Sequence, residues 1–352
     1  MIVGRHWEVL HDGRVQCNIC PRLCKLSEGQ RGFCFVRQNV GDQIHLTTYG
    51  RSSGFCIDPI EKKPLNHFYP GTSVLSFGTA GCNLGCKFCQ NWDISKARQM
   101  DKLMNQASPK TIAMIAKEHE CKSVAFTYND PVIFLEYAVD TAIECRELDI
   151  KTVAVTAGYI TKPAREEFFK HIDATNIDLK AFTEQFYRKL CYADLSDVLE
   201  TIKYVHEHTD VWMEITNLII PDNNDQLDEF KRMSEWLLSN VGDQVPIHFS
   251  AFHPDYKMTD LPRTPKETLT NAREVAMSMG LKYVYTGNVH DRSGDTTYCG
   301  ACGHELIVRD WYDLKLYRMN ERFCSNCSNQ IPGFFEDSPG NWGNKRKRVK
   351  IG

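Results

Sequence analysis

The fold is decided by residues 74–89, where Val74-Leu75-Ser76-Phe77 runs directly into Gly78-Thr79-Ala80-Gly81-Cys82-Asn83-Leu84-Gly85-Cys86-Lys87-Phe88-Cys89. The apolar run predicts a buried strand, and the glycines after it predict a loop at its carboxyl end. Three thiolates at the spacing CxxxCxxC can bind three irons of a [4Fe–4S] cluster, which leaves the fourth iron open to a small molecule. An electron-transfer cluster normally takes four cysteines. The spacing alone leaves a zinc site completed by a distant His or Cys as the alternative.

Short apolar runs alternate with helical segments from Ser73 to about Val289. The runs are VLSF at 74–77, VAF at 124–126, TVAVT at 152–156, NIDL at 176–179, VWMEITNLII at 211–220, IHFSAF at 247–252 and KYVY at 282–285. Strands separated by helices predict right-handed βαβ units and a parallel sheet. We therefore expect an α/β fold with a partial or full (β/α) TIM-type barrel, whose active site lies at the carboxyl ends of the strands. A doubly wound sheet is the alternative, although no Gly-x-Gly-x-x-Gly follows an early strand.

Helix signals lie between these runs. Residues 195–205 present one apolar face at helical spacing. Ser108-Pro109 predicts a helix start. Thr264-Pro265-Lys266-Glu267 predicts a capping box with proline at the first helical position, and Gly280 predicts the end of that helix.

The composition is that of a globular protein. The chain has 352 residues, of which 42% are hydrophobic and 25% charged, and its formal net charge is −3. These values exclude wholesale disorder and a globally basic nucleic-acid-binding field, and no apolar run is long enough to span a membrane. The first residues lack the apolar core and cleavage site of a secretory signal, so we expect a cytoplasmic protein. The strongly basic residues 345–350 are expected to form a solvated end rather than a nucleic-acid arm.

The 15 cysteines are the most informative residues, because thiols stay reduced in the cytoplasm and structural disulfides are not expected there. Four of them are scattered and are expected to be small buried apolar side chains, namely Cys56, Cys121, Cys145 and Cys191. Besides the central group of three, two groups of four lie near the chain ends, namely Cys17, Cys20, Cys24 and Cys34, and Cys299, Cys302, Cys324 and Cys327.

Each group of four is expected to bind a structural zinc ion. The paired CxxC motifs of the C-terminal group predict a zinc ribbon, with a rubredoxin-like iron site or a further iron–sulfur cluster as alternatives. The N-terminal group is less diagnostic. Zinc is the expected metal there, and an auxiliary iron–sulfur cluster or unligated cysteines are the alternatives.

The chain resembles the radical S-adenosylmethionine (SAM) superfamily, whose signature is this three-cysteine spacing with an aromatic residue before the third cysteine. The resemblance implies that Cys82, Cys86 and Cys89 hold the catalytic cluster, and that the open iron chelates the amino and carboxylate groups of SAM. One electron would cleave the sulfonium to methionine and a 5′-deoxyadenosyl radical, which abstracts a hydrogen atom from the substrate. Phe88 would pack near the adenine.

Two narrower resemblances refine this reading. Asp178-Leu179-Lys180 resembles a segment of the enzymes that activate glycyl-radical enzymes. From about Cys17 to Gly333 the chain resembles the AmmeMemoRadiSam-system radical SAM enzyme family, through CNICP at 17–21, DPIEKKPL at 58–65, TYN at 127–129, IP at 220–221, ND at 224–225, FHP at 252–254 and YVYTGNV at 283–289.

The resemblance implies contacts to SAM from residues in the loops after successive strands, namely Asn129, Asp130, Thr156, Asp178 and Lys180. Two loops depart from the family pattern. Asp130 stands where the family usually has Glu, and Ala157 stands where Asn is common, so ordinary turn chemistry is the alternative for both loops.

Other polar residues are less informative. A single His is more often a packing or surface residue, and this is expected of His67 and His253. Cys191 is expected to be buried, with donation of a hydrogen atom to a substrate radical as the alternative. The charged segment 58–65 is expected either to line a substrate entrance or to brace the surface.

These features predict an N-terminal four-cysteine module at residues 1–68, a radical SAM (β/α) barrel at 69–290, a zinc-ribbon-like module at 291–335 and a basic tail at 336–352. The expected reaction is reductive cleavage of SAM and abstraction of a substrate hydrogen, with electrons from a reductant such as flavodoxin or ferredoxin. The substrate is expected to be a glycyl-radical protein or another protein, with a small molecule as the alternative. From a different class, the alternative is a non-catalytic zinc scaffold with a basic nucleic-acid-binding tail.

Overall fold

The computed structural model describes residues 1–97 and 105–351, and a nine-stranded sheet within these ranges forms its centre. The strands are, in chain order, β1 (Phe55–Pro59), β2 (Ser73–Phe77), β3 (Ser123–Phe126), β4 (Lys151–Thr156), β5 (Ala174–Asp178), β6 (Trp212–Ile219), β7 (Ile247–Ala251), β8 (Val284–Gly287) and β9 (Lys347–Val349). Most residues of these strands are buried, as expected where helices cover a parallel sheet.

The strand order is that of a partial (β/α) barrel. Strands β2 to β8 are adjacent in space in the same order as in the chain, and each is parallel to its neighbours. A doubly wound sheet would instead reverse its order at a switch point, so that alternative is wrong. β1 pairs antiparallel with β2, and β9 pairs antiparallel with β1. Within the described residues β8 and β9 are the outer strands, so the barrel is open on one side.

Helices follow the parallel strands and cover the sheet. Their bounds are Trp92–Ser95, Pro109–Glu118, Leu135–Glu147, Lys162–Phe169, Glu184–Phe186, Leu195–His208, Leu227–Val241, Lys266–Ser278 and Arg292–Asp295, with 3-10 turns at Ile60–Lys62 and Pro131–Phe134 and a π-helical turn at Tyr187–Cys191. Ser108 caps the second helix as predicted, because its hydroxyl accepts from Thr111 N at 3.1 Å. None of the helices in the described ranges is long and apolar enough to cross a bilayer.

The capping box predicted at residues 264–267 is not formed. The helix there begins at Lys266, and its start has no side-chain capping bond. The hydroxyl of Thr264 donates instead to Ile219 O at 2.5 Å and accepts from Phe252 N at 2.9 Å. Tertiary hydrogen bonds to the ends of β6 and β7 have therefore displaced the local motif.

Residues 60–68 pack against the strands inside the barrel, which differs from the surface brace predicted for the segment 58–65. Pro64 lines the cavity described below, so the substrate entrance stays a prediction. Asp58 is fully buried and is neutralised by Lys62 at 3.0 Å and Lys63 at 2.8 Å. The backbone N–H groups of Asn66 and His67 donate to the buried carboxylate of Glu214 at 3.0 and 2.8 Å. Around them a small apolar cluster joins this segment to the strands, formed by Ile60, Leu65, Phe68, Val74, Ala125, Val153 and Ala174.

The N-terminal residues form small sheets from short strands at Ile2–Val3, Trp7–Val9, Val15–Cys17, Lys25–Leu26, Arg37–Val40, Gln43–Leu46 and Arg51–Ser52, the last pairing with Asn105–Gln106. A buried ion pair ties this part to the barrel, because Arg37 Nη1 and Nη2 lie 3.0 and 2.5 Å from the Glu136 carboxylate. Burial is complete on both sides, with 1% and 0% of the two side chains exposed.

The C-terminal module packs on β8 at the open side of the barrel. Its strands are Thr297–Tyr298, Glu305–Asp310, Asp313–Tyr317, Met319–Asn320 and Phe323–Cys324. They share a small apolar core with Tyr283 and Tyr285. Strands β1 and β9 lie within the predicted 1–68 module and the predicted tail, so both ends of the chain contribute to the central sheet. The predicted barrel and tail ranges also contain residues 98–104 and 352, which lie outside the described residues.

Candidate active site

The three-cysteine loop, residues 78–89, follows β2 and packs closely against two neighbouring parts of the chain. A Cβ at Gly78 would collide with the carbonyl oxygen of Thr127, and a Cβ at Gly81 would collide with that of Cys34. Gly81 also has φ +82°, a conformation that L side chains rarely adopt. The glycines are therefore required for the loop to sit between the end of β3 and the N-terminal module.

Asn129 braces this loop. Its Oδ1 accepts from Thr79 N at 3.0 Å, while its Nδ2 donates to Gly81 O at 2.8 Å and to Thr79 Oγ1 at 3.2 Å. The side chain also lines the cavity described below. Because its oxygen and its nitrogen are both engaged, Asn129 is placed to position the loop, and its contact to SAM stays a prediction.

Cys86 is the one cysteine of the three whose pKa is lowered. A hydrogen bond from Cys191 lowers the pKa of the Cys86 thiol to about 7, and the charges of Lys180 and Lys96 act in the same direction. Cys191 is fully buried, as the sequence predicted for the scattered cysteines, but its proximity to a predicted cluster ligand was not foreseen. Lys96, whose Nζ donates to a loop carbonyl at 2.8 Å, was also missed.

Cys82 and Cys89 also have polar contacts. Leu84 N donates to Cys82 Sγ at 3.5 Å, and Ser95 Oγ lies 3.0 Å from Cys89 Sγ. Burial raises the pKa of Cys82 to about 12 and also raises that of Cys89. Together with Cys86, these thiols line one cavity, so the loop offers three soft sulfur ligands on an open side, which fits an iron–sulfur cluster.

The cavity of about 270 Å³ lies where the parallel strands end at their carboxyl side. Asp178 ends β5 and pairs with Lys180, whose Nζ lies 2.9 Å from Asp178 Oδ2. Phe88 is buried, and the centre of its ring lies 5.7 Å from that of Phe186. Of the predicted site residues, the cavity collects Cys82, Cys86, Phe88, Cys89, Asn129, Asp130, Asp178 and Lys180.

Thr156 and Asp130 form a hydrogen bond with each other, and their contacts to SAM stay predictions. The Thr156 hydroxyl donates to Asp130 Oδ1 at 3.0 Å, and Ala157 N donates to Oδ2 at 2.9 Å. Asp130 also caps the 3-10 turn Pro131–Phe134 by accepting from Val132 N at 3.0 Å. Ala157 lines the cavity. Thr156 is not among the described residues that line it, because its side chain is directed to Asp130.

Sequence reasoning missed several polar residues of the cavity wall. They stand at the carboxyl ends of strands or in the loops beyond them, so a systematic reading of those positions would have found most of them. They are Tyr128, Thr216, Ser250 and Asn288, together with Gln90, Asn91 and Ser95 of the segment that follows the third cysteine.

Comparison with known proteins identifies the family. Over 327 residues the chain is 41% identical to an uncharacterized protein of Methanocaldococcus jannaschii, a match that covers 92% of this chain and 97% of that protein. The family model described as the Radical SAM superfamily matches residues 77–237, which include the three-cysteine loop. The chain belongs to the radical SAM superfamily.

Two further comparisons give similarities to a named enzyme and to a solved structure. It is 23% identical over 211 residues to the pyruvate formate-lyase-activating enzyme of Clostridium pasteurianum, covering 56% of this chain and 87% of that enzyme. The structure of Streptococcus suis SuiB bound to the precursor peptide SuiA superposes with a TM-score of 0.50 at 18% identity, covering 66% of this chain and 52% of that one. This likeness shows a shared fold.

The C-terminal cysteines of the radical SAM protein form a convergent site. We searched the described residues for three or more His, Cys, Asp or Glu side chains whose ligand atoms all lie within 4.8 Å of one another. Such a group is formed by Cys299, Cys302, Cys324 and Cys327. The Sγ atoms of Cys299 and Cys327 are 3.6 Å apart, and those of Cys302 and Cys324 are 3.8 Å apart. A tetrahedral zinc ion with Zn–S distances of about 2.3 Å requires sulfur separations of about 3.8 Å. The four thiols are thus spaced for one ion.

Both turns of this site have the same backbone geometry. Cys299 N donates to His304 O and Gly303 N donates to Cys299 O, each at 2.9 Å, and the second turn repeats this pattern with Cys324, Asn329 and Ser328 at 2.9 Å. Ser328 adopts φ +59° where the first turn has glycine. The paired CxxC motifs of the sequence therefore correspond to two turns with equivalent backbone hydrogen bonds, whose four thiols could hold one metal ion.

The N-terminal cysteines are less convergent. Within the described residues, no three of Cys17, Cys20, Cys24 and Cys34 have sulfurs within 4.8 Å of one another. Burial raises the pKa of Cys17 to about 11, although the charge of Arg37 opposes this shift. The metal of this group stays a prediction.

The two single histidines have different environments. His67 is fully buried, with Nε2 2.6 Å from Tyr285 Oη and Nδ1 2.7 Å from Pro332 O, and burial lowers its pKa to about 4. His253 is half-exposed at the rim, where its Nδ1 lies 3.0 Å from Gln90 Nε2. Packing and surface roles, as predicted, account for both.

Proposed function

We propose that this protein is a radical SAM enzyme that activates or modifies a partner protein. The observation that carries the proposal is the three-cysteine loop, which opens on the same cavity as the Asp178–Lys180 pair at the carboxyl ends of the barrel strands. When bound, a [4Fe–4S] cluster on Cys82, Cys86 and Cys89 supplies the electron that cleaves SAM to methionine and a 5′-deoxyadenosyl radical.

The chain's own residues would bind and orient the cosubstrate. Asp178 and Lys180 offer opposite charges to a molecule that carries an ammonium, a carboxylate and ribose hydroxyls. Phe88 supplies an apolar wall, and Lys180 Nζ lies 5.9 Å from the centre of its ring. Asn129 holds the loop that carries the thiols, so we assign it a positioning role.

A protein substrate is supported by relatives named as activating enzymes. One is the pyruvate formate-lyase-activating enzyme already described, and another is a putative glycyl-radical enzyme activating enzyme of Methanocaldococcus jannaschii, 23% identical over 203 residues. We propose a cytoplasmic reductant such as flavodoxin or ferredoxin as the electron donor. For the C-terminal thiols we propose structural zinc, which their separations support, and for the N-terminal thiols a second zinc.

The first test is the reductive cleavage of SAM. Anaerobically purified protein is expected to hold about four irons per chain in the cluster and to release 5′-deoxyadenosine with dithionite. Alanine at Cys82, Cys86 or Cys89 should abolish release, because each substitution removes one of three protein ligands. Cys145→Ala, a buried cysteine in a helix away from the loop, is the matched control. Colourless protein without iron, or release at the wild-type rate from any of the three variants, would refute the proposal.

The second test separates the two carboxylates of the site. Asp178→Ala should weaken SAM binding ten- to hundredfold in calorimetry on cluster-loaded protein, because one charge-assisted contact contributes roughly 1.5–3 kcal/mol. Asp130→Ala should lower thermal stability more than affinity, because Asp130 accepts from three groups of its own chain. Unchanged affinity in Asp178→Ala would remove that residue from the site.

A further inference from the structure

Four exposed or half-buried side chains form a patch beside the three-cysteine loop. They are Arg22 and Phe33 of the N-terminal module, Lys87 of the loop itself, and Tyr192, which follows the π-helical turn. Phe33 is 38% exposed and Tyr192 is 50% exposed. None of the four is among the described residues that line the active-site cavity. The patch is therefore a surface next to the loop and separate from the cavity.

Direct contacts join the four side chains. The guanidinium carbon of Arg22 lies 3.6 Å from the centre of the Phe33 ring, and Arg22 Nη2 donates to Tyr192 O. Arg22 Nε donates to Asn83 O in the three-cysteine loop at 2.5 Å. Lys87 Nζ lies 6.0 Å from the centre of the Tyr192 ring. Cations at such distances are attracted to aromatic rings, so cationic and aromatic groups alternate across one continuous surface.

The patch touches both chain neighbours of Cys86. A Cβ at Gly85 would collide with the ring of Tyr192. On the other side, Lys87 N donates to Leu190 O at 2.9 Å, which fixes the loop against the segment that leads to Tyr192. The rate of electron transfer falls steeply with the distance between donor and acceptor. A protein seated on the patch would therefore lie close to a cluster held by Cys86.

The charge of the patch is positive, although the formal net charge of the chain is −3. In the described part of the chain neither Arg22 nor Lys87 forms an ion pair, and the contacts of Arg22 are to neutral carbonyl oxygens and a ring. The carboxylate of Asp194, two residues beyond Tyr192, is paired with Arg188 at 3.2 Å. Aromatic and arginine side chains are also enriched at protein–protein interfaces. The patch is thus suited to an acidic protein surface.

We propose that the patch is the docking surface for an acidic one-electron carrier protein that reduces the cluster. The inference rests on the proposed function, because it names the surface that receives the electron donor of that reaction. The carrier would pass one electron from its reduced cofactor to the oxidised cluster, and no bond forms or breaks in this step. The substrate must instead reach the cavity, which the patch does not line. The N-terminal module thereby acquires a role in electron delivery.

The test uses full-length, cluster-loaded protein and photochemically reduced flavodoxin as the acidic carrier, in the absence of SAM. Stopped-flow absorbance gives the second-order rate constant for reduction of the cluster. Phe33→Ser should lower this constant about tenfold, because it removes an anchor of the interface, while reduction by dithionite should proceed as in wild type. Ile143→Ser is the matched control, because it removes an apolar side chain of similar exposure, 43%, from helix Leu135–Glu147 outside the patch. It should behave like wild type with both reductants.

Variants of Lys87 test the role of charge. The wild-type rate constant with flavodoxin should fall as the ionic strength rises, because salt screens the attraction between opposite charges. Lys87→Gln should lower the constant and flatten this dependence, and Lys87→Arg should restore both. A merely structural role of Lys87 would not change the dependence on ionic strength.

A wild-type rate constant with flavodoxin in Phe33→Ser, or an unchanged salt dependence in Lys87→Gln, would overturn the proposal. The first of these results is also expected if the patch receives the protein substrate. Equal losses with flavodoxin and with dithionite in Phe33→Ser would overturn it as well, because the residue would then shape the cluster site. If Phe33→Ser does not fold, the two Lys87 variants provide the comparison.

Calorimetric binding of oxidised flavodoxin at low ionic strength gives the same comparison of variants independently of the cluster. Weaker binding to Phe33→Ser than to wild type and Ile143→Ser supports the surface, and equal binding to all three contradicts it. A protein that is reduced through the patch but releases no 5′-deoxyadenosine would contradict the proposed reaction and leave the docking surface supported.

Discussion

Replacing Asn129 with alanine tests whether side-chain hydrogen bonds hold the three-cysteine loop. The amide makes three hydrogen bonds to Thr79 and Gly81. A neutral hydrogen bond contributes about 0.5–1.5 kcal/mol net, so three contribute about 1.5–4.5 kcal/mol. Because the substitution also leaves buried groups of the loop without partners, we expect about 3–4 kcal/mol of lost unfolding free energy.

Thermal unfolding and iron content measure this effect. With an unfolding entropy of about 2.1 cal/mol/K per residue, the loss corresponds to a fall in Tm of about 4–5 °C. Iron retention should fall as well, because the thiols lose their fixed arrangement. Asn91→Ala, an exposed residue on the wall of the same cavity, should change the unfolding free energy by less than about 0.5 kcal/mol. Wild-type Tm and iron content in Asn129→Ala, with a loss of SAM affinity alone, would refute the bracing role.

Three further predictions concern other parts of the molecule. Arg37→Met should cost about 3–5 kcal/mol in chemical denaturation, because Glu136 stays buried without its partner, and Arg37→Met with Glu136→Leu should recover most of the loss. The pKa of His67 is about 4 in the fold and about 6.5 in the unfolded chain. Between these two pH values the unfolded chain binds one more proton than the folded chain. The contribution of His67 to the free energy of unfolding is therefore complete above pH 6.5 and is lost as the pH falls toward 4. Urea denaturation should show about 2 kcal/mol less stability at pH 5 than at pH 7, and His67→Gln should remove that difference. Cys302→Ser should lower zinc by about one equivalent and reduce Tm while iron stays constant, whereas a loss of iron would exclude zinc at the C-terminal site.

Local patterns were sufficient for the parallel strands. Each strand of the barrel is buried on both faces, so it appears in the sequence as a short continuous apolar run, and the predicted runs agree with β2 to β7 within a few residues. The run at 282–285 is displaced, because Lys282 and Tyr283 precede β8, which begins at Val284. The first and last residues of a strand depend on where the adjacent strand offers hydrogen-bonding partners, and the local composition does not specify those positions.

Charged segments are where sequence reasoning was least successful. Asp58, Lys62 and Lys63 lie within six residues of one another and resemble a solvated surface, because charged residues are rarely buried unless paired. Here the charges neutralise one another, so the segment can fill the inside of the barrel. Arg37 and Glu136 form a buried pair across 99 residues, and neither has a local sequence signal.

By itself, the sequence determined the three-cysteine loop, the alternation of strands and helices, and the paired CxxC turns, because each depends on spacings of a few residues. Only the tertiary structure decided that Asn129 is engaged by the loop, that Cys191 lies beside Cys86, and that the N-terminal module meets the loop at the patch. These arrangements depend on which polar groups find partners when distant segments pack together. A buried hydrogen-bonding group is satisfied by whatever the fold brings within reach, and sequence spacing does not specify that partner.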